Sequence, residues 1–275
     1  MRFANNIANS ILALILLTGN SIAESPQKLR VHFLAAGYGD AILIELPDRT
    51  NIVLDAGEKA YGAKMAGYLA SHRIEKIDTA VITHPHKNHF EGFFEIVKKF
   101  PIGRVFINGD PNTEEGHTDL LRTFKELGVP VRTLRAGSSI GKLPAGVKIY
   151  VLNPRRISES VNDNSLVLWL RYHETSFLFT ADIEEKRQDE ILKKFPQVTE
   201  AGCVQIPHHG GPVSNAFAGA FPASLFVIST GKNPWGILFT EDLEKFKNRV
   251  FRTDQGRAVV FESDGYHLKV LHPQP

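Results

Sequence analysis

The sequence predicts a single α/β domain made of two β-sheets packed face to face with helices on both outer faces, a four-layer αββα sandwich. Three observations predict it. Short apolar runs rich in β-branched residues alternate with helical stretches along nearly the whole chain, so sheet and helix are interleaved rather than segregated. Turn signals at 37–40 and 47–49 close tight, hairpin-like connections near the start. A doubly wound parallel sheet, the main competing architecture, needs long crossovers there instead. The 275 residues, 43% apolar and 23% charged, are enough for one substantial core, and no repeat, linker or low-complexity tract divides them.

The elements follow in order. Strands are expected at 29–34, 41–46 and 51–54, broken by Gly37-Tyr38-Gly39-Asp40 and Pro47-Asp48-Arg49. A helix at 60–72 precedes a strand at 79–82. A histidine-rich loop then leads into a helix at 93–100, a strand at 105–107, a helix at 118–127 and a strand at 131–134. The middle is β-rich, with strands near 148–152, 165–171 and 176–180. A helix at 184–195, strands at 204–207 and 225–229 and a helix at 241–248 come next. The strands 257–262 and 267–271, joined by Ser263-Asp264-Gly265, end the chain.

Residues 1–23 stand apart. Arg2 precedes the apolar run 11–17, and Ser21-Ile22-Ala23 is a small-x-small cleavage signal. That is the pattern of a secretory signal peptide cut after Ala23; a buried N-terminal helix is the alternative. The run is too short to anchor the chain in a bilayer, and no later segment is apolar enough to span one. The expected product is a periplasmic or secreted domain, 24–275. Arg2 is the only charge in the leader, leaving 31 basic against 30 acidic residues. A net charge of +1 gives no general pull toward nucleic acid. The one cysteine, Cys203, lies in a strand-like run and cannot form an internal disulfide; it reads as a small buried apolar residue.

The chemistry concentrates in histidines. Of eleven, three fall within six residues, in His84-Pro85-His86-Lys87-Asn88-His89, directly after a buried strand. A loop leaving a strand can turn three such rings toward one point, and neutral imidazole is a common zinc ligand. Asp182 ends another strand, where its alternative role is to cap the helix that follows. His208 and His209 follow Ile206-Pro207 at a third strand end and could equally be a polar turn. Strand ends that converge on one edge are where sites assemble. His32, His72, His173, His267 and His272 have no such context and read as surface or satisfied residues; His117 is kept as a reserve ligand.

The run Thr83-His84-Pro85-His86-Lys87-Asn88-His89 resembles the His-x-His-x-Asp-His motif of metallo-β-lactamase-fold hydrolases. Further motifs are similar to the ComEC-type branch, known from the hydrolase domain of the bacterial DNA-uptake channel and from stand-alone secreted relatives. They are Gly37-Tyr38-Gly39-Asp40-Ala41, Asp55-Ala56-Gly57, Asn164-Ser165-Leu166-Val167-Leu168, Phe179-Thr180-Ala181-Asp182, Pro207-His208-His209-Gly210 and Arg252-Thr253-Asp254-Gln255. Together they cover about 29–271. The resemblance implies that His84 and His86 bind a first metal, and Asn88 and His89 a second. Asp182 would bridge the two, with His208 or His209 completing the set. It implies one or two zinc ions, or manganese, and a metal-bound hydroxide as nucleophile. Asn88 and Asp182 are the residues it places nearest the chemistry.

The chain departs from that pattern. Asn88 stands where the family has aspartate, so a neutral amide replaces a charged ligand. Ile237, in Trp235-Gly236-Ile237, replaces a usual histidine. Ala35 and Ala181 replace an aspartate and a glycine, and read as packing changes. The loop Asn162-Asp163-Asn164 carries no histidine, leaving Asp163 or Asn164 to offer an oxygen. One tightly held metal, or a second held weakly, is the expectation. The function expected is an exported metal-dependent hydrolase of a phosphodiester or related ester, small molecule or nucleic acid. The alternative is a degenerate, non-enzymatic binding protein on the same fold. β-Lactam hydrolysis fits less well, since the resemblance lies with another branch.

Overall fold

The computed structural model describes residues 28–231, 246, 250–256 and 258–271. The expected leader, the Trp235-Gly236-Ile237 stretch and, except for the buried Phe246, the helix expected at 241–248 lie outside the described residues.

The first half of the chain builds one sheet. Strands β1 (Leu29–Phe33), β2 (Ala41–Glu45) and β3 (Asn51–Ala56) form an antiparallel meander. Asp48 closes the β2–β3 turn by accepting from the Thr50 N–H at 3.0 Å and the Thr50 hydroxyl at 2.6 Å, the local chemistry expected of an aspartate turn. The chain then crosses over through α1 (Gly62–Ser71) to β4 (Thr79–Ile82), which pairs parallel with β3. Beyond it, β5 (Val105–Ile107), α4 (His117–Glu126) and β6 (Val131–Thr133) extend the parallel part; α2 (Lys87–Phe90) and α3 (Phe93–Ile96) lie between β4 and β5.

The second sheet starts with the antiparallel strands β7 (Val147–Asn153), β8 (Val167–Tyr172) and β9 (Thr175–Phe179). It continues in parallel through α5 (Glu185–Lys194), β10 (Cys203–Gln205), α6 (Asn215–Gly219), β11 (Leu225–Ile228) and β12 (Val250–Arg252). The hairpin β13 (Val259–Ser263) and β14 (Leu268–Leu271) returns to the first sheet beside β1. The orders are β14-β13-β1-β2-β3-β4-β5-β6 and β12-β11-β10-β9-β8-β7.

Packing makes this a four-layer αββα sandwich. Leu29, Val31 and Phe33 of β1 alternate inward to meet Phe177 and Phe179 of β9, with the rings of Phe33 and Phe179 centred 6.0 Å apart. On the outer face of the first sheet, Met65 and Leu69 of α1, Phe93 of α3 and Phe124 of α4 bury against Leu43 and Val53. On the outer face of the second, Ile191 of α5 and Phe217 of α6 bury against Val204 and Phe226. Three apolar layers separate four structural ones. Cys203 is buried between the sheets, as a small apolar residue would be.

Four short elements differ from expectation. The histidine run is not all loop: its second half, Lys87–Phe90, is one turn of helix, with Glu114 Oε2 accepting from the Lys87 N–H at 2.6 Å. The helix expected at 93–100 is regular only over Phe93–Ile96. Strand β12 and helix α6 have no signal among the sequence expectations, being three and five residues long.

Candidate metal centre

The site residues sit at the carboxyl ends of parallel strands, where the open edge of both sheets brings them together. β3 carries Asp55 at its penultimate position, β4 leads to His84, β9 leads to Asp182, and β10 leads to His208 and His209. The local backbone is shaped for this. Asp55, Ala181, His208 and His209 all have positive φ, at 56°, 48°, 51° and 57°. Left-handed conformation at a residue with a Cβ costs roughly 1–2 kcal/mol, and such outliers cluster at functional sites. Ala181 is therefore more than a packing change: it holds a conformation that favours glycine.

Asp182 is the hub. Its Oδ2 lies 3.2 Å from His89 Nε2, 3.3 Å from His209 Nε2, 3.6 Å from His84 Nε2 and 3.9 Å from His208 Nε2. His84 Nε2 is also 2.9 Å from His86 Nδ1. The structure thus brings His84, His86, His89, Asp182 and His209 into one cluster. Of the adjacent pair, His209 is buried and aimed inward, while His208 is partly exposed at the rim. Asn88 joins through its side-chain amide, whose Nδ2 is 3.0 Å from His209 Nε2. Asp182 does not cap α5; Glu184 occupies that position.

The far side of each ring is held by the protein. Asp55 accepts from the Thr83 N–H at 2.8 Å, the Thr83 hydroxyl at 2.6 Å and His89 Nδ1 at 2.8 Å. With its proton given to Asp55, the Thr83 hydroxyl can accept from His84 Nδ1 at 3.1 Å, and Ser165 Oγ lies 3.2 Å from the same nitrogen. His209 Nδ1 donates to the Ser229 carbonyl at 3.0 Å. These contacts fix the tautomers so that Nε2 of His84, His89 and His209 presents a lone pair toward Asp182, the arrangement that carboxylates and carbonyls impose on ligating histidines. Asp163 and Asn164 offer nothing to the cluster. Asp163 accepts from the Glu184 N–H at 2.9 Å, and the Asn164 amide donates to Asp110 at 2.5 Å. His117 packs edge-on against Phe90 and belongs to none of the donor groups.

The electrostatics ask for a cation. Burial alone would raise the Asp182 carboxyl, yet His209, His89 and His84 hold it well below the ordinary range. Burial would likewise lower His89, but Asp182 and Asp55 pull it well above its usual value. His209 is raised by Asp182 against burial in the same way, and burial with His89 beside it pushes His84 well down. Burial carries Asp55 up to about 6 despite His89. Asp40, Asp55 and Asp182 are all buried, and among the described residues their ion-pair partners are histidines alone. Asp182 Oδ1 has no hydrogen-bond partner. Buried carboxylates ringed by imidazole lone pairs fit a divalent cation, which replaces the protons that otherwise neutralise them. Three groups of ligand atoms lie within 4.8 Å of one another: His84–His89–Asp182, Asp40–Asp55–His89 and Asp40–Asp182–His209.

Asp40 and Asp55 carry no site role in the sequence reading, although both stand in the motifs that carry the resemblance. A carboxylate closing the apolar strand Asn51–Ala56 was the available signal. The turn before Asp40 is also built for proximity: a Cβ on Gly39 would lie 1.9 Å from the Asn88 carbonyl oxygen.

A family model described as the metallo-beta-lactamase superfamily matches residues 34–219. ComE operon protein 3 of Bacillus subtilis (strain 168) is 25% identical over 256 residues, covering 84% of this chain and 32% of the relative. Competence protein ComA of Neisseria gonorrhoeae is 24% identical over 240 residues, covering 82% and 31%. The chain spans about a third of the length of each of these relatives. Among solved structures, a mutant of the CmlA beta-hydroxylase superposes with a TM-score of 0.53 at 14% identity, over 86% of this chain and 54% of that one. A diphosphatase from the PhnP family gives 0.50 at 13% identity, over 84% and 97%, and unliganded yeast PDE1 gives 0.50 at 11%, over 82% and 96%. At such identities the likeness is one of fold. Two facing sheets, a histidine–aspartate cluster at their strand ends and a family match over more than half of the sequence agree: the chain belongs to the metallo-beta-lactamase superfamily, with relatives of the ComEC type.

Proposed function

We propose that this chain is an exported metal-dependent hydrolase that acts on a phosphodiester or related ester. The observation that carries the reading is the convergence of His84, His89 and His209 Nε2 on the buried Asp182 carboxylate. His84, His86 and Asp182 would hold one cation; Asn88, His89, Asp182 and His209 would hold a second. A cation there, zinc or manganese, supplies Lewis acidity and a water acidified toward neutral pH. The chain's own contribution is orientation: Asp55, Thr83, Ser165 and the Ser229 carbonyl lock the rings from behind. The His208 and Tyr38 side chains, both partly exposed, border the cluster, the Tyr38 ring centred 4.6 Å from that of His209. The substrate class leans on analogy with the ComEC-type branch and with a diphosphatase of the same fold. Export rests on the sequence of 1–23.

The test is an assay of the purified 24–275 chain with zinc or manganese, using bis-p-nitrophenyl phosphate and single-stranded DNA as substrates. Metal-dependent turnover that His84→Ala abolishes is expected. Absence of turnover, or turnover untouched by that substitution, overturns the reading.

One observation favours a second reading, a non-enzymatic binding protein. With its amide Nδ2 3.0 Å from His209 Nε2, Asn88 occupies by hydrogen bonding a nitrogen that a second cation would need. Rotating the amide by half a turn presents its carbonyl oxygen instead, and the two orientations fill the same space. Activity gained in Asn88→Asp distinguishes a weakened catalyst from a protein without one.

A further inference from the structure

The histidine run offers a second cation only neutral donors, yet a carboxylate stands beside that position from another part of the chain. Asp40, immediately before β2, is 1% exposed, and its Oδ1 has no hydrogen-bond partner. Oδ1 lies 3.9 Å from His209 Nδ1 and Oδ2 3.8 Å from His89 Nδ1. Both of those nitrogens already donate elsewhere, to the Ser229 carbonyl and to Asp55. Among the described residues no Lys or Arg pairs with Asp40. A buried carboxylate left without a matched charge is costly, and in proteins such groups are paired or coordinate metals.

Its neighbours point to the metal. Asp40 shares a donor group with Asp182 and His209, all ligand atoms within 4.8 Å of one another; with Asp55 it also flanks the Nδ1 face of His89, the side away from Asp182. The turn that carries it is pressed against the metal-binding run: Gly39 leaves no room for even a Cβ above the Asn88 carbonyl. A residue with any side chain at position 39 would push Asp40 away from the cluster. The approach is a built feature of this turn.

We propose that Asp40 is a carboxylate ligand of the second cation, alongside His89, Asp182 and His209, and that it supplies the negative charge Asn88 lacks. This rests on the metal-dependent reading above. It makes the second position a site of two carboxylates and two imidazoles, a donor set suited to zinc or manganese.

The experiment is a calorimetric titration of the metal-free 24–275 chain with zinc or manganese chloride, with bound ions counted by elemental analysis. The unaltered chain takes up two ions. In Asp40→Asn the second ion binds at least ~10-fold more weakly, taking the loss of an outer partner as a lower bound, while the first is unchanged. Adding Asn88→Asp to Asp40→Asn restores the second ion. In crystals of the unaltered chain soaked with zinc, an Asp40 oxygen lies ~2.0–2.2 Å from the metal, and this decides the matter alone if Asp40→Asn fails to fold. Two ions bound as tightly by Asp40→Asn, or an Asp40 oxygen outside coordination distance, overturns the proposal. A single ion in the unaltered chain also overturns it but leaves the hydrolase reading standing; no ion at all overturns both.

Discussion

Gly39→Ala is the smallest perturbation that separates the two halves of the site. The added Cβ would lie 1.9 Å from the Asn88 carbonyl oxygen, 2.9 Å from its carbon and 3.0 Å from the Asn88 Cβ. Carbon and oxygen do not approach within about 3 Å without bonding, so the Gly37–Asp40 turn and α2 must separate by roughly 1 Å. Both are backbone, and no rotamer change relieves the clash. Overpacking of this kind costs about 1–3 kcal/mol. The movement is also about twice the ~0.5 Å tolerance of a working constellation, and it separates Asp40 from the helical turn that carries His89. Urea unfolding with the metal removed gives the first quantity, and zinc titration the second. The expected outcome is a loss of 1 kcal/mol or more in stability, with weakened metal binding. Gly39→Ala within ~0.5 kcal/mol of the parent and unaltered in metal affinity would refute the reasoning.

Other outcomes follow from the same geometry. Gly67→Ala, at an exposed position inside α1 with nothing within 4 Å of the new Cβ, should stabilise the chain by up to ~1 kcal/mol, raising Tm by about 2–4 °C. Asp55→Asn removes the charge that anchors His89 and Thr83, and should weaken metal binding ~10–100-fold. Burial pushes the His117 imidazole down to about 4, Asp110 opposing it in part. The unfolded chain, with its histidine near 6.5, takes up a proton that the folded chain refuses, so this stability is full above about pH 6.5 and falls as the pH drops toward 4. Between pH 7.5 and 5 the parent should lose about 2 kcal/mol more than His117→Gln in urea unfolding. Equal losses would show that His117 is not held neutral by the fold.

The fold was largely legible because its strands are long, apolar and separated by turn residues. β1 to β4 and β7 to β9 lie within a residue or two of their expected places. What the pattern does not carry is short: β12 and α6 contain too few residues for a period to show, and their existence depends on the parallel pairing with β11 and on burial of Phe217. In the site, the spacing of His84, His86 and His89 after a buried strand was readable as a metal loop, whereas the ligand role of Asp182 came from the family resemblance. The choice between His208 and His209 was not, because adjacent residues differ only in which way a left-handed turn aims them. Asp40 and Asp55 were missed as site residues for a related reason. Their positions are ordinary in one dimension and acquire meaning only when the sheet edge folds His89 and His209 against them.

The most direct measurement is elemental analysis of the natively purified 24–275 chain beside His84→Ala. At least one divalent cation per chain is expected in the parent, with a marked loss in His84→Ala. A well-folded parent that carries no stoichiometric metal, or a His84→Ala variant that retains the full amount, would contradict a metal centre gathered around Asp182.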